Sequence, residues 1–214
     1  MSIYLLSDTF HEGVVNLPQI KVTCRDIDLD LTPYDALIFS SKNAVKAIDL
    51  INKDWRKIPS YAIGEPTAKS ITKLNGNLVF TSNSSYGDDF AQEIYQKLMG
   101  KKVLFLRAKK VLSNLENILK DNEINLKSEI VYETTCKENK PLHVENKNSV
   151  FIFTSPSTVE CFFSNYEWCD TYQAVCIGNV TAKALPKNIT LHVSKVQSIQ
   201  SCIKIAKTLS KIYL

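Results

Sequence analysis

Four short polar turns carry the residues most able to do chemistry in this chain of 214 residues. Ser40, Ser41 and Asn43 follow the apolar run ALIF at 36–39, and Thr154, Ser155, Pro156 and Ser157 follow FIF at 151–153. Gly64, Glu65, Pro66 and Thr67 follow YAI at 61–63, and Gly178, Asn179, Val180 and Thr181 follow VCI at 175–177. Hydroxyls and a glycine between a buried strand and a helix suit the capture of an anion. The helix start offers unpaired N–H groups and a partial positive charge, and glycine lets backbone approach a ligand closely. Helix capping by Ser or Thr competes with this reading at every single position. A fixed spacing favours the site. Gly64 and Gly178, Thr67 and Thr181, Ala68 and Ala182, and Lys69 and Lys183 all stand 114 residues apart, as do ALIFSSKNAV at 36–45 and VFIFTSPSTV at 150–159. Four such helix starts, two per copy, are expected to ring one anionic ligand.

Two like blocks in the same order imply a duplicated unit, and the period is that of a domain, not of a solenoid repeat. Apolar runs at 3–6, 36–39, 61–63, 77–80, 102–106, 149–153, 174–177 and 190–193 read as strands buried on both faces. Helical spacing appears between them at 43–51, 88–98, 112–122 and 198–212, with Asp88 and Ser113 placed to cap the second and third. Strands alternating with helices predict an α/β protein with doubly wound parallel sheets. SIYLLS at 2–7 matches KVLFLR at 102–107, so the sequence halves run about 1–100 and 101–214. KVTCRDIDLDL at 21–31 and EIVYETTCKE at 129–138 occupy like positions and read as connectors between lobes. The expected division is 1–22 with 136–214 as one lobe, 27–129 as the other, and connector strands at 23–26 and 130–135.

Other chemistry is weakly represented. His11, His143 and His192 are far apart, no Walker loop or G-x-G-x-x-G occurs, and only six glycines are present. The six cysteines (24, 136, 161, 169, 176 and 202) form no C-x-x-C pair, so reduced, mostly buried thiols are expected, with no metal and no disulfide framework. With 44% hydrophobic and 22% charged residues the composition is that of a soluble globular protein. No apolar run approaches the roughly 20 residues that span a bilayer. MSIYLLSDTF reads as a first strand, not a signal peptide, so a cytoplasmic location is expected. The net charge of +4 is too mild to argue for nucleic acid and fits an anionic small molecule as easily as no charged partner, so no nucleic acid partner is expected. Arg107, Lys109 and Lys110 follow a strand end and are expected to make the binding cleft positive.

The pair FSSKNAV…AIGEPTA and FTSPSTV…CIGNVTA, with GDDFAQEI and VYETT, resembles the uroporphyrinogen-III synthase family over nearly the whole chain. The resemblance implies two flavodoxin-like lobes joined by a two-stranded connector, with the active site in the cleft between them. It implies cyclisation of hydroxymethylbilane, a linear tetrapyrrole, to uroporphyrinogen III with inversion of ring D, without a cofactor. Tyr132 matches the family's connector tyrosine, the candidate for assisting loss of the substrate hydroxyl. Thr67 and Thr181, with Gly64 and Gly178, match its two IG-x-x-TA turns. Ser155 and Ser157 match its FTSPS turn, with Ser40 and Ser41 in the first copy. Arg107 matches a strand-end arginine, whereas the first strand ends in Ser7. A monomer is implied, with transient contact to the preceding pathway enzyme. The alternative is a two-lobed small-anion binding or sensing protein without chemistry. An electron carrier of flavodoxin type fits poorly, because SDTFHEG after the first strand is no FMN phosphate loop.

Overall fold

The structure is a computed structural model that describes residues 2–84, 86–138 and 148–212. It divides into two compact units, one of Met1–Lys21 with Thr135–Leu214 and the other of Val22–Thr134.

The continuous unit is built on a six-stranded sheet. Its strands are β3 (Ile20–Cys24), β4 (Ala36–Phe39), β5 (Ser60–Ala62), β6 (Leu78–Thr81), β7 (Lys102–Ala108) and β8 (Asn125–Cys136), in the spatial order β3-β8-β7-β4-β5-β6. The pairs β8·β7, β7·β4, β4·β5 and β5·β6 are parallel. Alternation along the strands splits the core between two faces, as a sheet covered on both sides requires. Leu37, Phe39, Leu104 and Leu106 pack beneath α1 (Lys42–Ile51) and α2 (Gly64–Lys73). Ala36, Ile38, Val103 and Phe105 pack beneath α3 (Gly87–Leu98) and α4 (Leu115–Asp121). A 3₁₀ turn at Lys53–Lys57 buries Trp55, whose Nε1 donates to Asp49 at 3.0 Å.

The discontinuous unit holds β1 (Ser2–Leu5), β2 (Val15–Asn16), β9 (Ser149–Phe153), β10 (Gln173–Cys176) and β11 (Leu191–Val193), all parallel, in the order β11-β10-β9-β1-β2. Tyr4, Leu6, Phe151 and Phe153 join Phe162, Trp168 and Tyr172 on the face of α5 (Pro156–Asn165) and the short α6 (Asn179–Ala182). Ile3, Leu5, Val150 and Ile152 face α7 (Ile199–Ile212).

Counted from β1, the second sheet has the flavodoxin order 2-1-3-4-5. The first sheet has the same order counted from β7, with β3 added beyond β8. The six-stranded sheet therefore takes four strands from the first sequence repeat and two from the second, and the five-stranded sheet takes two from the first and three from the second. Both unit divisions fall inside a strand, at Lys21/Val22 in β3 and at Thr134/Thr135 in β8. The chain passes from one unit to the other within these two neighbouring strands.

Three local expectations need correction. Asp88 does not cap α3, which begins after Tyr86 with no side-chain cap; it accepts instead from the backbone N–H of Asn114 at 2.7 Å. Ser113 does not cap α4, whose N-cap is Asn114; it lies against Gly87, where a Cβ would come within 2.5 Å of it. The cysteines are not all reduced, because Cys136 and Cys161 form a disulfide. The fold brings the end of β8 against α5, a proximity that spacing along the chain does not reveal.

Candidate functional site

In each unit the parallel register brings two polar turns to one edge. Phe39 pairs with Ala62 and Phe153 with Cys176, so the residues just beyond these strands emerge side by side. Ser41 and Gly64 stand two residues past their strands, and Ser155 and Gly178 stand in the same places 114 residues on. Ligands of doubly wound sheets sit outside the carboxyl ends of the strands, at the point where strand order reverses. That point is β7/β4 in the first sheet and β1/β9 in the second. Ser40 and Ser41 follow β4 and Arg107 is the penultimate residue of β7 at one; Ser155 and Ser157 follow β9 at the other.

The two serine turns are built differently. Ser41 caps α1 by accepting from the N–H of Asn43 at 3.1 Å. Ser155 closes a full capping box: its Oγ accepts from the N–H of Thr158 at 3.3 Å, and its own N–H donates to Thr158 Oγ1 at 3.2 Å. The S-x-x-T spacing with proline at the first helical position was visible in the sequence. Ser40 and Ser157 are half-buried beside these caps.

Thr67 and Thr181 are buried, at 4% and 3% exposure. Neither is a cap: Thr67 is the fourth residue of α2 and Thr181 the third of α6, and neither helix begins with a side-chain cap. A capping role for these threonines is thereby corrected. Gly64 opens α2 with φ of 64°, a left-handed conformation that favours glycine. Gly178 is extended, with φ of −174°, and there a Cβ would approach the Gln197 side chain at 3.1 Å.

Tyr132 reaches its place through an irregularity in β8. Arg107 pairs with Ile130, but Ala108 pairs with Tyr132, so Val131 is an extra residue. Strict alternation would send Val131 and Tyr132 to opposite faces. The bulge sets both on the face of α1, in the cluster of Phe39 and Leu106. There the Tyr132 hydroxyl lies close to that of Ser41. Burial raises the phenol above its usual value, and the nearby Ser41 hydroxyl only partly opposes this. The group thus keeps its proton at neutral pH. Sequence alone placed Tyr132 on a connector but carried no signal for the bulge.

Arg107 is drawn inward. Its Nη1 donates to the carbonyls of Ala108 and Lys109 at 3.0 and 3.4 Å, and its Nε lies 3.6 Å from Glu116. Burial pushes the Glu116 carboxyl up, but the hydrogen bond from Lys120 and the positive charges of Lys120 and Arg107 more than offset this and hold it below its usual range. Arg107, Lys109, Lys110, Ser113, Glu116 and Asn117 line a pocket of about 440 Å³ at the end of β7. Lys109 also pairs with Glu133 at 3.2 Å. A pocket of about 490 Å³ on α2 and β6 includes only Glu65 of the repeated turns and lies away from Tyr132 and Arg107. No group of three or more His, Cys, Asp or Glu among the described residues could hold a metal, and no helix among them is long and apolar enough to cross a membrane. His143 lies outside the described residues.

The structure therefore gathers Ser40, Ser41, Gly64, Thr67, Arg107 and Tyr132 at the strand ends of one unit. It gathers Ser155, Ser157, Gly178 and Thr181 at those of the other. Against known proteins, residues 12–204 match the family model described as uroporphyrinogen-III synthase HemD. The chain is similar to the crystal structure of uroporphyrinogen-III synthetase from Helicobacter pylori, with 32% identity and a TM-score of 0.80 over 97% of this chain and 99% of that one. A mutant uroporphyrinogen III synthase from the extremely thermophilic bacterium Thermus thermophilus shares the fold at 14% identity and a TM-score of 0.61, over 99% of both chains. Comparison with curated protein sequences returns no match.

Proposed function

We propose, from the premise that the chain belongs to the uroporphyrinogen-III synthase family, that its two strand-end rims hold the substrate by its carboxylates while Tyr132 assists loss of the hydroxyl. The chain is an enzyme of tetrapyrrole biosynthesis that cyclises hydroxymethylbilane to uroporphyrinogen III. That substrate carries acetate and propionate groups on every ring and also closes without enzyme, to the isomer without ring inversion. The protein must therefore steer more than accelerate. Helix N-termini and hydroxyls suffice to bind carboxylates, and positioning supplies about 7–11 kcal/mol in favourable cases.

In this reading Tyr132 gives its proton to the leaving hydroxyl, which departs as water. The Ser41 hydroxyl steadies the resulting phenolate. The cationic azafulvene left behind is attacked by the substituted carbon of ring D, giving the spiro-pyrrolenine from which ring D recloses inverted. The proton finally lost from the ring returns to the phenolate. Ser40, Ser41, Gly64, Thr67 and Arg107 serve one part of the carboxylate set, and Ser155, Ser157, Gly178 and Thr181 another. One observation carries this assignment: the β8 bulge turns Tyr132 onto the hydroxyl that caps α1, at the strand-order reversal of its sheet.

We further place the enzyme in the cytoplasm as a monomer that receives its labile substrate by transient contact with the preceding pathway enzyme. The substrate's spontaneous closure supports direct transfer. The test is to supply fresh hydroxymethylbilane and measure the type III to type I ratio. Product enriched in type III is expected, and type I alone above the enzyme-free blank overturns the reading.

A further inference from the structure

The Cys136–Cys161 bridge sits at a joint. Cys136 is the exposed last residue of β8, and Cys161 is a buried residue of α5. One turn along the same face of α5, Asn165 donates through Nδ2 to the carbonyl of Lys137 at 3.0 Å and lies 3.4 Å from Gln19 Oε1. The N–H of Lys137 donates to the carbonyl of Gln19 at 2.8 Å. Gln19 is fully buried and directly precedes β3. So α5 is tied, by one covalent bond and one polar node, to the place where both connector strands meet its unit. The other end of the same helix presents Ser155 and Ser157.

The remaining described cysteines are unlike this pair. Cys176 and Cys202 are buried, and burial pushes the Cys176 thiol up to about 12. Neither is a reactive thiol. Cys24 and Cys169 are not disulfide-bonded. A disulfide in a reducing compartment is rarely a permanent staple and is more often transient or redox-sensing.

We propose that Cys136–Cys161 is a thiol–disulfide switch that clamps α5 when oxidised and loosens it when reduced. A thiolate of a dithiol reductant attacks the exposed Cys136 sulfur. The S–S bond breaks, and Cys161 leaves as a thiolate and takes up a proton. The second thiolate of the reductant then displaces Cys136 and departs as the reductant's own disulfide. Two electrons pass from the reductant to the protein. Reduction leaves the Asn165 node as the remaining tie on that face of α5. The effect on catalysis rests on the reading that Ser155 and Ser157 hold substrate; the clamp itself does not.

The full chain, equilibrated in buffers of reduced and oxidised dithiothreitol from oxidising to reducing, tests this. Alkylation after denaturation should modify four of the six cysteines in the oxidised protein and all six in the reduced one. Amide exchange in α5 should quicken on reduction by about tenfold, in keeping with loss of a cross-link. KM for hydroxymethylbilane should rise about threefold with kcat little changed, as for loss of uniform binding. The Cys136→Ser/Cys161→Ala variant should match the reduced protein in every buffer; if it does not fold, wild type reduced with dithiothreitol supplies the same comparison. Six modified cysteines under oxidising conditions, or equal α5 exchange in both states, overturns the switch. Altered exchange with an unchanged KM upholds the clamp and removes Ser155 and Ser157 from the substrate site.

Discussion

At the same distance past matching strands, Gly64 and Gly178 do different work. Gly64 turns through a left-handed φ of 64° into a ten-residue helix, whereas Gly178 is extended ahead of a four-residue one. The helices on the neighbouring strands match in length and register, Lys42–Ile51 against Pro156–Asn165, yet their fastenings differ. On α1, buried Asp49 accepts from Trp55, Arg56 and Lys53. Its repeat partner on α5 is Phe163, in an aromatic cluster with Phe162 and Trp168. Duplication has preserved where the strands end and which turn follows. The means of holding each helix, and the phenol itself, belong to one unit alone.

The largest test of that asymmetry is Tyr132→Phe. Unit Val22–Thr134 holds the phenol; the opposite sheet ends in the two-residue β2, which offers no counterpart among the described residues. We expect kcat to fall about 10²-fold, at the low end for a general acid, with the type III to type I ratio falling too. Because burial raises this phenol above its ordinary 10.0, wild-type activity should show no loss from its ionisation at any lower pH. Full activity of the variant would place the proton elsewhere.

Asp49→Ala should destabilise the same unit by about 2 kcal/mol, since it strands the Trp55 N–H and Arg56. Each unit holds one tryptophan, Trp55 or Trp168, so fluorescence of Trp55 in a Trp168→Phe background reads this unit alone during urea unfolding. Burial raises the Asp49 carboxyl, but hydrogen bonds from Lys53, Trp55 and Arg56 outweigh it and the net shift is downward. Its contribution is therefore present above the unfolded value near 3.8 and lost as pH falls through the lower native value. A variant as stable as wild type would show the knot to be incidental.

Gly64→Ala should cost about 1–2 kcal/mol through its positive φ. Gly178→Ala should cost under about 0.5 kcal/mol, since only the flexible Gln197 side chain must yield. Equal costs would erase the contrast. An effect of comparable size is alkaline. The Cys176 thiol is pushed from 9.0 up to about 12 by burial, so the unfolded chain releases this proton first. Through Cys176 the discontinuous unit should lose about 0.8 kcal/mol of stability at pH 9.5, and Cys176→Ala should lessen the alkaline decline by about that amount. Denaturant midpoints followed through Trp168 measure it.

Strands and helices were legible because apolar runs and helical spacing follow directly from which faces are buried. β4 and α1 fall within a residue of the pattern read for them. Three-dimensional pairing was not legible. Asp88 looks like a cap for α3, but the fold offers it the Asn114 N–H instead. Cys136 and Cys161 are 25 residues apart with nothing in their spacing to join them. The repeated turns that hold the candidate serines, threonines and glycines could be read from the 114-residue offset, whereas Tyr132 and Arg107 were named by the family resemblance. The orientation of Tyr132 could not, because one extra residue in β8 reverses the face on which it lies.

The exchange of strands between repeats fixes an order of assembly on the ribosome. The continuous unit can close its sheet as soon as Thr134 has emerged, and its most separated central pairing, Ala36 with Val103, lies well within that stretch. β1 is made first but is used last. Ser2 pairs with Ser149, so at synthesis rates of about 5–20 residues per second the strand waits roughly 7–30 s for its neighbour. During that interval Ile3, Tyr4, Leu5 and Leu6 have no sheet to enter. Residues 3–6 are thus exposed to chaperones and to misassociation while they wait, even though they become part of the buried interior of a finished sheet.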